Sequence, residues 1–195
     1  YLPLANDGGR LYCCGTELGG SGERVSKGVI SAITSDGLRF ELEPGYRMRE
    51  RQGDYDTSGI TAAEVIPPAV DGGRWTMVFS AWQDVPPGTV VPVHPSQDTD
   101  ALESGRSEDF AAASIAVDMA GYRSRIFVAH SPDGLSWDQG ECAIDGGGHG
   151  ADGLDAVHAE DMSVVNIADG NYRMYYAACD SYGNWRVASA ITDPA

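Results

Sequence analysis

Two short apolar segments of the sequence are each entered through a carboxylate. They are Ala62-Ala63-Glu64-Val65-Ile66 and Ala159-Glu160-Asp161-Met162-Ser163-Val164. Carboxyl groups in unequal surroundings divide acid–base work, one held protonated as a general acid and the other serving as base or nucleophile. On an extended strand Glu160 and Asp161 point to opposite faces, so only one of them is expected to share a site with Glu64. The purely structural use of the same residues is a hydrogen bond to nearby amides, and it stands open for all three. A second concentration of polar groups runs from Asp145 to His158, with five glycines, three aspartates and two histidines. Its counterpart earlier in the chain is Gly53-Asp54-Tyr55-Asp56-Thr57-Ser58-Gly59. Oxygen donors of this kind suit Ca²⁺, although their spacing is not that of an EF-hand loop. A flexible linker is the competing reading, and no cofactor is otherwise expected.

Other chemistries find less support. No Gly-x-Ser-x-Gly elbow is present for Ser-His-Asp catalysis, and no glycine loop opens a helix to hold a nucleotide. His130 falls within a strand pattern and reads as a core or interface residue. His94 falls in a Pro-rich stretch. Cys13, Cys14, Cys142 and Cys179 lack zinc spacing. They read as four buried thiols, with one disulfide left open if the protein is exported. The balance of 13 Lys+Arg against 29 Asp+Glu gives a charge of −16. Nucleic acid and anionic membrane surfaces are therefore not expected partners. Only Lys27 among the 13 cations is a lysine, which reads as composition rather than function. No apolar run approaches the ~18 residues of a membrane helix, and neither a signal peptide nor an initiator Met is visible, so an upstream segment is expected. The compartment stays open between secreted and cytoplasmic.

Such residues need a scaffold, and the sequence supplies one by repetition. The 195 residues are 42% hydrophobic, enough for a core, and 25 glycines with 10 prolines imply many turns. One recurring element is a Gly-rich turn followed by a strand, at Asp7–Cys14, Asp71–Ser80 and Asp169–Ala177. Its copies align at Leu11, Met77 and Met174. A second runs Val29–Phe40, Ile126–Trp137 and, cut short, Val187–Pro194, aligning at Ala32, Ala129 and Ala190. The carboxylate-entered segments form a third element, preceding the first. A fourth, polar strand follows each Asp-Gly-Leu. Short alternating strands with Gly-rich turns, and no helical period of any length, predict an all-β fold. Four-stranded antiparallel units repeating at this length predict propeller blades. We expect a single partial propeller domain over 1–195, with blades at about 1–45, 60–140 and 158–195. The middle blade carries an insertion at 83–110, which reads as a surface loop or as a lid.

The runs Asp-Gly-Asn-Tyr-Arg-Met-Tyr-Tyr (169–176), Trp-Arg-Val-Ala-Ser-Ala-Ile-Thr (185–192) and Ser-Pro-Asp-Gly-Leu-Ser-Trp (131–137) resemble the five-bladed β-propellers of glycoside hydrolase families 43 and 32 and of the family 130 glycoside phosphorylases. The resemblance covers nearly the whole chain outside the insertion, and its motifs belong to the blade scaffold. Trp75, Trp137, Tyr172 and Tyr175 are expected to pack between blades. The resemblance implies a carbohydrate-active protein, with inner-strand carboxylates facing a central cavity. Glu64, Glu160 and Asp161 occupy the matching positions. The Met77–Met174 alignment sets Asp161 opposite Glu64, whereas Glu160 is the better match to the glutamic acid of family 43. Asp56, His149 and His158 become candidate substrate contacts. Arg123, Arg125 and Arg186 do not make a phosphate clamp, so a hydrolase acting on oligo- or polysaccharide is preferred over a phosphorylase. The alternative is a non-catalytic module that binds sugar or protein. Three of five blades cannot readily close a ring, so the missing blades are expected from the rest of the polypeptide or from another chain.

Overall fold

The computed structural model describes the chain except for residues 5–7, 19, 22–23, 51–56, 58, 70–71, 85–121, 169 and 193–195. The insertion from Val85 onward, His94 and the candidate Asp56 therefore lie outside the described residues. Those described form eleven strands: β1 (Leu2–Pro3), β2 (Gly9–Leu18), β3 (Arg24–Thr34), β4 (Glu41–Leu42), β5 (Gly59–Ile66), β6 (Trp75–Asp84), β7 (Tyr122–Ser131), β8 (Glu141–Ile144), β9 (His158–Ala168), β10 (Asn171–Cys179) and β11 (Trp185–Ile191). They build three antiparallel meanders in the orders β1-β2-β3-β4, β5-β6-β7-β8 and β9-β10-β11. The first two sheets have the expected four strands, and the third has three among the described residues.

The repeat alignment reappears as hydrogen-bonded register. Leu11 pairs with Ala32 in the first sheet, Met77 with Ala129 in the second, and Met174 with Ala190 in the third. Each sheet packs face to face on the next in chain order, through β2 and β3 on β5 and then β6 and β7 on β9. The middle sheet is covered on both sides, so its central strands read as unbroken apolar runs rather than alternating ones. Met77, Phe79 and Phe127 go to the interface with the first sheet. Val78 and Ile126 go to the interface with the third. This radial stacking of small antiparallel meanders is a β-propeller arrangement, and the described sheets form no closed ring.

The Asp-Gly turns work as their composition implies. Gly37 and Gly134 adopt φ of 73° and 74°. Ahead of them, Asp36 accepts hydrogen bonds from the amides of Leu38 and Arg39, and Asp133 from those of Leu135 and Ser136. The second turn also docks on the first sheet, since Tyr12 donates its hydroxyl to the Gly134 carbonyl at 2.9 Å. These amide bonds hold the Asp36 and Asp133 carboxyls below their ordinary range. Depressed carboxylates stabilise the fold above their unfolded pKa, near 4, and lose that contribution as pH falls through the folded value. The melting temperature should therefore hold from neutrality to about pH 5 and fall below about pH 4. A melting temperature constant down to about pH 2 in circular dichroism would contradict this.

Trp75 and Trp137 border the core between the first and second sheets, but Tyr175 is 44% exposed. Its cross-strand partners are Ser163 and Ser189, on the face of the third sheet turned away from the second. Val165, Val187 and Ile191 share that open face and are exposed as well.

Candidate functional site

The predicted carboxylates lie on β5 and β9, the edge strands of the second and third sheets, which contact each other. Along β5, Ala63 and Val65 face the first sheet while Ala62 and Ile66 face the third, so Glu64 points toward β9. There its Oε2 accepts the backbone N–H of Val164 at 2.8 Å. Glu64 thus ties the inner edges of two sheets together. Glutamine keeps an acceptor at that place and alanine does not. Glu64→Gln should hold the melting temperature, and Glu64→Ala should lower stability by about 1–3 kcal/mol, the effect of stranding a partly buried amide. Equal stability of the two variants in urea unfolding would remove the tie from the account.

Asp161 is exposed, with φ of 50°, and is the one non-glycine residue among those described with positive φ. The cause is a β-bulge. Between Tyr175 and Ala177 of β10 the partners on β9 step from Ser163 to Glu160, one residue more than a regular ladder holds. Bulges re-aim side chains and interrupt strict alternation, so the two-face argument separating Glu160 from Asp161 does not extend across this one. The register itself also differs from the sequence alignment. Glu64 pairs with Val78 and Ser163 with Tyr175, so Ser163 is the residue in the place of Glu64. The physical reason is loop length: the connection from Val65 to Met77 is two residues longer than the one from Val164 to Met174. Glu160 pairs with Ala177, is half-buried, and has its Oε2 enclosed.

Asp161 is felt in the first sheet. Burial pushes the Cys14 thiol up, Lys27 pulls it down, and Cys13 and Asp161 add to the rise. Lys27 places its ammonium 4.5 Å from the centroid of the Trp82 ring. Lys27 and Trp82 thus link the first two sheets. The sequence offered no sign of this for Lys27 beyond its being the single lysine.

The glycine-rich loop between β8 and β9 is ordered by specific ties. Asp145 accepts from Arg123, and from Arg125 Nε at 3.1 Å, while Arg125 also donates to Gln83 at 3.0 Å. Burial works to raise the Asp145 carboxyl, and these two guanidiniums outweigh it and hold the group down. Asp155 accepts the Tyr176 hydroxyl at 2.8 Å, and burial together with that carboxylate pushes the phenol up. Ser181 Oγ accepts from Gly150 N and donates to the Ala151 carbonyl, both at 2.9 Å. A Cβ on Gly146 would sit 2.0 Å from the Asp155 carbonyl oxygen, and one on Gly148 would sit 2.3 Å from Arg123 Nη1. Both glycines have positive φ, where any other residue is strained, and at Gly146 the obstacle is backbone.

His149 lies half-buried in that loop. His158 is fully buried, stacked on Trp185 with ring centroids 5.2 Å apart, and shares a 3.0 Å hydrogen bond between its Nδ1 and Ser124 Oγ. That setting makes His158 a support for the start of β9. None of the four cysteines is in a disulfide, Cys179 being buried and the others half-buried. Among the described residues no group of three or more His, Cys, Asp or Glu is placed to hold a metal ion, and no helix is long and apolar enough to cross a membrane.

No family model matches the chain, and no curated protein matches it significantly. Solved structures do. A structure named glycoside hydrolase superposes with a TM-score of 0.51 at 15% identity, over 95% of this chain and 41% of its own. A complex of BT0996 with RGII gives 0.52 at 16%, over 95% and 40%. A candidate glycosidase from Bacteroides thetaiotaomicron VPI-5482 gives 0.50 at 15%, over 95% and 48%. The likeness is one of fold, a β-propeller arrangement. The chain spans less than half the length of each of these structures.

Proposed function

We propose that this propeller acts on carbohydrate as a glycoside hydrolase of oligo- or polysaccharides, with its reactive carboxylates on the inner strand β9. The observation that carries the reading is Asp161: a carboxylate held exposed, at φ of 50°, on a bulge of an edge strand that meets the neighbouring sheet. Backbone strain of this kind collects where a side chain must be aimed. In this reading Asp161 is the base or nucleophile and Glu160, with one oxygen enclosed, is the proton donor to the leaving glycosidic oxygen. Glu64 positions β9 through Val164, and His149 and Asp56 are substrate contacts from the segments that precede β9 and β5 in the chain. No cofactor enters this scheme. Product release from aryl-glycosides and oligosaccharides by the full polypeptide tests it. The reading expects turnover that does not depend on added phosphate. A strict phosphate requirement would make the protein a phosphorylase.

One observation favours the alternative, a non-catalytic module binding sugar or protein. Glu64, the acid on the inner strand of the second sheet, is committed to a backbone amide. Saturable glycan binding without turnover, unaffected by Asp161→Asn, would select that alternative.

The reading also needs the open faces covered. Val187 is 78% exposed and Ile191 58%, beside Tyr175 and Val165 on one sheet face. A contiguous apolar face of this kind favours association. The 195 residues alone should sediment as an oligomer or aggregate, and a stable monomer across concentrations would contradict the covered-face account.

A further inference from the structure

We propose that the β10–β11 turn is a sugar-binding subsite, where the ring of Tyr182 receives a pyranose unit beyond the bond to be cleaved; this rests on the carbohydrate reading above. Tyr182 is 58% exposed. A single exposed aromatic is ordinary on a protein surface. This one is distinguished by how it is held and by what lies beside it.

The turn is tied from within. Asp180 Oδ1 accepts the backbone N–H of Tyr182 at 2.9 Å and that of Asn184 at 3.0 Å, and its Oδ2 accepts from Asn184 Nδ2 at 2.9 Å. Arg186 pairs with the same carboxylate. Gly183 takes φ of 81° and donates its N–H to the Asp180 carbonyl at 3.1 Å. The backbone under the ring is therefore fixed before any ligand arrives. An aromatic ring on a fixed backbone loses little entropy on binding.

The turn is also tied to a second segment. Ser181 is buried, and its Oγ bonds both Gly150 N and the Ala151 carbonyl. Tyr182 and the stretch from His149 to Asp152, far apart in the chain, thus come together as one rim. His149 is half-buried there, and Asp152 is exposed. An imidazole and a carboxylate beside an aromatic ring match the two aspects of a sugar. Its C–H face suits the negative face of the phenol ring, and its hydroxyls suit the polar groups around it. Tyr182 stands at the end of the third sheet, on neither its outer edge nor its open face. β9 begins at that end, since Cys179 pairs with His158 and Ala177 with Glu160. At about 3.3 Å per residue, the turn lies on the order of 10 Å from Glu160. A sugar on Tyr182 is therefore a unit further along the chain than the one being cleaved.

The probes are ladders of cello-, xylo- and manno-oligosaccharides, from disaccharide to hexasaccharide. Binding to the full polypeptide is read by calorimetry in the Asp161→Asn background, so that cleavage does not intrude. The expected result is affinity for one ladder that rises with chain length. Tyr182→Ala should remove the rise, weakening the hexasaccharide about three- to tenfold, the scale of one aromatic contact. It should leave disaccharide binding and the melting temperature where they were. Tyr182→Trp keeps a ring and should keep the rise, with tryptophan fluorescence changing on binding. Length dependence lost in Tyr182→Ala, with no turnover by the wild type, would keep the subsite and remove the hydrolase. Equal length dependence in Tyr182→Ala and its parent would overturn the subsite and leave the hydrolase reading in place. A lower melting temperature in Tyr182→Ala would show the ring packed against protein and overturn the subsite as well. No affinity for any ladder would overturn the subsite together with the carbohydrate reading.

Discussion

Asp161→Asn in the full polypeptide is expected to lower kcat/KM on its carbohydrate substrate by roughly 10²–10⁴-fold, the scale of a lost general base, while the melting temperature stays where it was. The two halves of this expectation have separate causes. Asparagine, like aspartate, tolerates the left-handed backbone region better than most residues, so the bulge between Glu160 and Ser163 persists. The side chain is exposed, so little packing is lost. What disappears is the negative charge. Asp161→Ala keeps the loss of charge and adds strain, since alanine at φ of 50° costs about 1–2 kcal/mol. Wild-type turnover in Asp161→Asn would show a carboxylate that is aimed but not used in the chemistry.

The second large effect is on stability. Phe79 and Phe127 are fully buried neighbours on β6 and β7, stacked with centroids 5.4 Å apart and planes 19° from parallel. They pack with Met77, Ala129, Val29 and Ile60, so the pair holds the first sheet to the second. Phe79→Ala should lower unfolding free energy by about 3–5 kcal/mol, a large share of what a domain of this size has to lose. Phe79→Leu, which refills most of the space, should lose much less. Chemical denaturation with tryptophan fluorescence reads both. A Phe79→Ala loss below about 1 kcal/mol would mean that the two sheets are not packed on this pair.

The scaffold was legible because it repeats. Leu11, Met77 and Met174 carry the same local pattern, and the strands pair them with Ala32, Ala129 and Ala190 as the alignment required. The Asp-Gly turns were legible for a local reason: one carboxylate caps two amides and one glycine takes positive φ. The site was less legible because it depends on counts that the pattern does not show. A two-residue difference in loop length moved Ser163, rather than Asp161, to the place of Glu64. One extra residue in β9 made the bulge, and nothing in Ala159-Glu160-Asp161-Met162 announces it. His158 looked like a ligand by residue type, yet its partners Ser124 and Trp185 are far along the chain, and together they bury it. Tyr175 looked like packing, and its sheet face carries no neighbour among the described residues. Lys27 looked like composition, and the fold sets it over Trp82.

Product analysis of the full polypeptide with a panel of oligo- and polysaccharides, in water enriched in ¹⁸O, tests the central claim most directly. The account predicts that a saccharide is cut, that one ¹⁸O enters the reducing end of the product by mass spectrometry, and that Asp161→Asn abolishes the incorporation. A folded protein that binds no saccharide, or that releases products without ¹⁸O, would contradict it.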